Sequence, residues 1–167
     1  METIVDFLVY AVLIGAGATA VMDVWGIART RLLGIAPMNY GLVGRWLAWV
    51  VRGRFRHDPI AASPTVRGER LIGWTAHYLI GIGFAAVLLA LWGLEWARDP
   101  TIGPALIVGI GSVAAPFLVM QPGMGAGIAA GRTPRAGAAR VQSLVTHAFF
   151  GLGLYAAAWL QSNFGSL

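Results

Sequence analysis

Apolar residues fill four long stretches of the chain, at 4–28, 71–94, 102–130 and 141–160, and polar residues gather between them. Each stretch exceeds the roughly 18 apolar residues needed to cross a hydrocarbon core of about 30 Å. The pattern predicts an all-α fold, an integral membrane four-helix bundle formed as a single transmembrane domain over residues 1–167. A long loop at 29–70 joins the first two spans, and a short one at 131–140 joins the last two. Glu2 and Asp6 lead into the first span without a positive charge. That leader lacks the basic region of a signal peptide, so the first span is expected to stay as a helix.

The third stretch is too long for one straight crossing. Its 29 residues would reach about 43 Å at about 1.5 Å each. Pro116 and Pro122 lie inside it, each removing a backbone donor and freeing a carbonyl one turn earlier. Gly123, Gly127 and Gly131 follow at four-residue spacing, a ladder suited to close helix contact. A kinked or broken helix is predicted, tolerated at membrane depth only against protein or a water-filled cavity. These glycines make no dinucleotide fingerprint, because no strand precedes them and G-x-G-x-x-G is missing.

Within the long loop, NYGLVGRWLAWVVRGRF at 39–55 has helical spacing. It predicts a short amphipathic helix lying in the interface, with tryptophans at headgroup level and arginines toward phosphates. The alternative is a cap over the end of the bundle. Further on, Asp58-Pro59 reads as the N-cap and first residue of a helix. His57 beside it has the chemistry of a ligand or base, although loop histidines are usually exposed and inert.

Composition narrows the class. The chain is 57% hydrophobic with a mean hydropathy of +0.71, too apolar for an ordinary soluble domain. A net charge of +5 on such a chain points to anionic lipid headgroups and away from nucleic acid. All 12 basic residues are arginine; arginine grips phosphate bidentately, but mutational bias toward arginine codons is the favoured reading. Cysteine does not occur, which excludes disulfides, thiolate metal sites and thiol nucleophiles. Eleven of the 12 arginines fall in the 29–70 and 131–140 loops; the exception is Arg98. By the positive-inside rule both loops are cytoplasmic and both termini periplasmic.

Two of the spans repeat one another. RLIGWTAHYLIGIGFAA at 70–86 and RVQSLVTHAFFGLGLYA at 140–156 share an Arg, a His, two Gly and a final Ala at a constant offset, 147 − 77 = 70 for the histidines. Val119-Met120-Gln121 weakly echoes Val21-Met22-Asp23. The halves would form a parallel 2+2 internal repeat, in which sites tend to lie at the repeat interface. His77 and His147, each seven residues past an arginine, would sit about 10 Å inside the cytoplasmic boundary. Asp23 would lie at similar depth, with Thr19 one turn behind it, and Gln121 somewhat deeper. Ionisable residues in membrane helices are costly and mark functional sites by default. Asp23, His77, Gln121, His147 and Thr19 are therefore the expected ligand-binding set. The alternative is that they only hydrogen-bond the helices together, at about 0.6 kcal/mol per pair.

Several ligands suit such a layer. His77, His147 and Asp23 offer nitrogen and oxygen donors to a divalent metal, and the two histidines could be axial ligands of a haem. A layer with no cofactor is equally compatible. Met120 and Met124 could bind Cu(I), but methionines in apolar helices are usually filler. Arg45, Arg52, Arg54, Arg56, Arg70 and Arg140 are expected to hold lipid headgroups or to gate access. No catalytic triad is visible, since Ser112 and Ser143 have no base beside them in sequence.

The segments Met22-Asp23, NYGLVGRW at 39–46, GRFRHD at 53–58, PFLVMQPGMGAGIAAGRTP at 116–134 and HAFFGLG at 147–153 resemble a bacterial family of small membrane proteins catalogued only as a domain of unknown function. The resemblance covers nearly the whole chain and implies a four-span protein of the bacterial inner membrane. It brings no activity, substrate or catalytic residue. Ion or small-ligand binding and transport through the polar layer is the leading functional expectation, with no enzymatic activity and a homodimer to complete the pathway. A metal- or haem-binding redox protein and a structural accessory subunit are the alternatives.

Overall fold

The computed structural model describes residues 3–164, and no strand occurs among them. Helix α1 spans Ile4–Leu33. Thr3 and Asp6 close a reciprocal capping box at its start, and its last turn ends at Gly34, which takes a left-handed φ of 65° and whose N–H bonds to the Thr30 carbonyl. Helix α2 covers Tyr40–Val50, with the Asn39 side chain accepting from the Gly41 N–H at its start. Helix α3 is Glu69–Arg98, its geometry interrupted at Gly93 (φ 77°, ψ 170°). Helix α4 is Ile102–Gly111, α5 is Gln121–Met124 and α6 is Ala136–Phe164. Four segments are long and apolar enough to cross a membrane: α1, α3, Ile102–Met124 and α6. The protein is an all-α membrane bundle.

The third segment is irregular around Pro116, as expected, but it is shorter than the expected 102–130. Between α4 and α5 runs a π-helical turn, Pro116–Met120, in which the Gln121 N–H bonds to the Pro116 carbonyl five residues back. The helix then ends at Met124, because Gly125 takes φ 95° and Gly127 φ 76°. Residues 128–130 form only a separate 3₁₀ turn. Glycine enters this region without a Cβ clash, so Gly125 and Gly127 terminate the span. The Asp58-Pro59 expectation also fails. Only a three-residue 3₁₀ turn, Ile60–Ala62, follows, with Pro59 at its N-cap and no side-chain cap.

Packing divides the chain into two units. The first comprises residues up to Pro37, Tyr78–Ser112, and the chain from Val145. Its core is built from Ala11, Ile14 and Ala18 of α1, Leu88 and Leu89 of α3, and Phe150 and Leu154 of α6. Two helix crossings rest on glycine. A Cβ on Gly15 would strike the Ile82 backbone, and one on Gly109 would strike the backbone of Gly151. With lipid as the outer solvent, apolar burial drives association little, and close backbone approach supplies the dispersion contacts that replace it.

The second unit comprises Met38–His77 and Val113–Leu144. Here α2 crosses the first turns of α3 at another glycine pair, since a Cβ on Gly44 would meet the Glu69 carbonyl and one on Gly73 the Tyr40 carbonyl. The following loop is tied down as well. Trp46 Nε1 donates to the Phe55 carbonyl (2.8 Å), and the His57 N–H donates to the Gly123 carbonyl (2.9 Å).

Candidate functional site

Four of the five intramembrane polar residues, Asp23, Thr19, His77 and His147, have a hydrogen-bond partner. In the first unit the Tyr78 hydroxyl donates to Asp23 Oδ2 at 3.0 Å. Thr19 is 1% exposed and turns its hydroxyl onto its own helix, to the Gly15 carbonyl at 2.8 Å. It also faces the backbone of Gly81, so it serves the helix crossing. Ser112 donates to the Gly109 carbonyl at 2.6 Å and lies 2.7 Å from His147 Nδ1. With its only proton given to a carbonyl, Ser112 accepts from His147, which fixes the proton of a neutral imidazole on Nδ1. That serine is a positioning partner for the ring, without the free proton a nucleophile would surrender.

In the second unit, the Tyr40 hydroxyl lies 3.0 Å from His77 Nε2, and the Tyr40 ring stacks on the imidazole at 4.3 Å. Trp74 meets the same imidazole edge-on at 5.8 Å. Gln121 is half-buried, and its Oε1 is buried with no hydrogen-bond partner. His77 and His147 thus belong to different units, each beside its own hydroxyl. Among the described residues, no group of three or more His, Cys, Asp or Glu side chains is placed to hold a metal ion.

Tyr78, Tyr40 and Ser112 were not singled out as partners in the sequence. Tyr78 carries a usable signal. It stands where the 70-residue offset places Ala148, a position at which the two repeated stretches differ.

The arginines divide into two groups. Arg45 departs from the expected outward orientation: it is 8% exposed. Its Nε and Nη2 bind the two Glu69 carboxylate oxygens at 2.8 Å each, and Nη1 donates to the carbonyls of Ala61 (3.2 Å) and Ser63 (3.1 Å). The hydrogen bond to Glu69 raises the Arg45 pKa. The planar fork of the guanidinium is satisfied inside the protein, leaving α2 no arginine of its own to offer a headgroup. Arg52, Arg54, Arg56 and Arg70 remain exposed. Arg52 and Arg54 lie over the Trp49 ring at 5.3 and 5.9 Å. Arg140 donates from Nε to the Ala129 carbonyl at 2.8 Å. That bond braces Ala129 and Ala130, which both take left-handed φ values (47° and 58°) that cost energy in residues with a Cβ.

His57 is buried at 4% exposure, against the expectation of an exposed loop residue. Its Nε2 lies 3.2 Å from the Arg54 carbonyl and its Nδ1 2.8 Å from Ser63 Oγ. A carbonyl only accepts, so Nε2 carries a proton. The ring thereby closes the turn from Arg54 to Ser63. Beside it opens a cavity of about 520 Å³, whose lining includes Arg54, Arg56, Asp58, Gly127 and Arg132.

A family described as "Protein of unknown function (DUF2938)" matches residues 12–161. No curated protein and no solved structure matches the chain.

Proposed function

The chain belongs to the DUF2938 family, whose description assigns no activity, and from its own residues we propose that it binds an ion or small ligand among its membrane-spanning helices and carries it across the bilayer. One observation carries this reading: Asp23, within an apolar span, has its carboxylate joined to the hydroxyl of Tyr78 on another span. A carboxylate in hydrocarbon is costly enough to mark a site. A hydroxyl beside it offers the proton or oxygen ligand that an incoming cation or polar group would exchange with. His147 with Ser112 and His77 with Tyr40 repeat that pairing of a titratable group with a hydroxyl.

The parallel repeat gains support from packing in the first unit. Gly81 faces Gly15 and Thr19 of α1, and Gly151, its partner at an offset of 70, faces Gly109 of α4. Sites in proteins built this way lie between the repeats. The arginine distribution puts the two basic loops in the cytoplasm and the termini in the periplasm of a bacterial inner membrane. Four spans are few for a complete pathway, so the transporting form is a homodimer.

Flux through reconstituted vesicles tests the proposal. A trapped pH indicator follows the response to an acid pulse and to added Na⁺ or K⁺. Asp23→Asn should abolish the response while leaving a folded protein in the vesicles. Flux that persists in folded Asp23→Asn, or wild-type vesicles no leakier than empty ones, would overturn it.

A further inference from the structure

The cavity in the second unit is independent of Asp23 and has a composition of its own. Three arginines are among its lining residues, Arg54, Arg56 and Arg132, against one acidic residue, Asp58, a balance of 3 − 1 = +2. Asp58 does not neutralise them. Its nearest approach is 3.7 Å to Arg132, with both side chains largely exposed, too long for a hydrogen bond and easily exchanged. Its volume of about 520 Å³ lies within the roughly 300–1,000 Å³ of small-molecule sites.

The walls are held in place before any ligand arrives. Residues 54–58 and 122–132 come from distant parts of the chain. They are joined by the His57 N–H to Gly123 bond, and the His57 ring bonds to the Arg54 carbonyl. Gly125 packs against His57, Asp58 and Pro59, where a Cβ would clash. On the second segment, Gly127 holds φ 76° and lies directly against the side chain and backbone nitrogen of Arg132. The absence of a side chain there lets Arg132 pack against the Gly127 backbone. Prior fixing of this kind lowers the ordering cost of binding.

We propose that this cavity binds a phosphate group, carried either by a soluble phosphate or phosphate monoester or by an anionic phospholipid headgroup. The choice of phosphate over carboxylate follows from a comparison within the same unit. One arginine, Arg45, satisfies both oxygens of the Glu69 carboxylate. Three arginines around one space exceed what a carboxylate can use, but they match the charge and the additional oxygens of a phosphate, which arginine grips bidentately. Asp58 releases Arg132 as the anion enters.

The test uses the full chain purified in detergent. One arm titrates inorganic phosphate and glycerol 3-phosphate by calorimetry. The other exchanges the protein into nanodiscs of phosphatidylcholine with or without phosphatidylglycerol and counts retained lipid by native mass spectrometry. One equivalent bound in the first arm alone assigns a soluble phosphate, and one phosphatidylglycerol retained in the second alone assigns the headgroup. Arg56→Gln and Arg132→Gln should each weaken binding about tenfold, the loss of one charge-assisted contact. Arg67→Gln, an exposed arginine outside the lining, should leave it unchanged. Ile128→Trp, at an exposed position on the cavity wall, should block entry without altering charge. No stoichiometric binding in either arm would overturn the proposal. So would binding that survives Arg56→Gln, Arg132→Gln and Ile128→Trp unchanged. Flux lost in Asp23→Asn with phosphate binding retained separates this site from the transport reading.

Discussion

The Tyr78 hydroxyl reaches the Asp23 carboxylate over 3.0 Å and joins α3 to α1 through a polar contact between apolar spans. His77, the neighbour of Tyr78 on α3, belongs to the other packing unit and meets Tyr40 instead. One helix therefore contributes consecutive polar side chains to two different units.

Tyr78→Phe removes the donor and keeps the ring. Thermal unfolding in detergent should show a loss of about 0.6 kcal/mol, the usual worth of one interhelical hydrogen bond in a membrane protein. The transport reading adds that flux falls in Tyr78→Phe by much more than this small destabilisation accounts for. Normal flux in that variant would leave the pair with a packing role only.

Glycine positions should divide sharply. Gly109→Ala and Gly151→Ala place a methyl into the facing helix, and overpacking of this kind costs about 1–3 kcal/mol. Gly83→Ala meets nothing within 4 Å and should be neutral or slightly stabilising. Unfolding midpoints of the three variants provide the check, and equal midpoints would contradict the crossings described.

Arg45→Met should lower stability by about 2 kcal/mol. That is below the 3–5 kcal/mol of a fully buried pair, because the two side chains keep 10% and 21% exposure. Arg45→Lys should recover little, since an ammonium cannot reproduce the fork to Glu69 and the two carbonyls. Arg132→Ala, whose ion pair with Asp58 is solvent-exposed, should change stability by less than about 0.5 kcal/mol. Chemical denaturation of the detergent-solubilised variants measures all three.

Topology is checked by reporter fusions. A reporter joined after Pro100 and another at the C-terminus should both read periplasmic, and one after Gly53 cytoplasmic. A cytoplasmic signal at the first or second position would reverse the assigned orientation or remove a span.

Length and hydropathy were enough to locate four spans, because the cost of unpaired backbone in lipid leaves an apolar stretch of that length little choice but a helix. Pro116 and Pro122 also announced the irregular third segment, since a missing N–H is a property of the residue itself. The sequence did not reveal where that segment stops. Gly123, Gly127 and Gly131 suit a close helix contact as well as a chain reversal, and only the φ of Gly125 and Gly127 separates the two.

Partnership was decided by tertiary structure. Arg45 and Arg52 stand seven apart in sequence and look alike, yet one is enclosed by Glu69, Ala61 and Ser63 while the other stays exposed over Trp49. His57 looked like a loop residue and became a buried brace, because the loop folds back onto Gly123. Polar residues inside the spans could be found one at a time from the cost of burying them. Which hydroxyl meets Asp23, His77 or His147 depends on helix rotation and crossing, and these follow from side-chain packing between segments far apart in the chain.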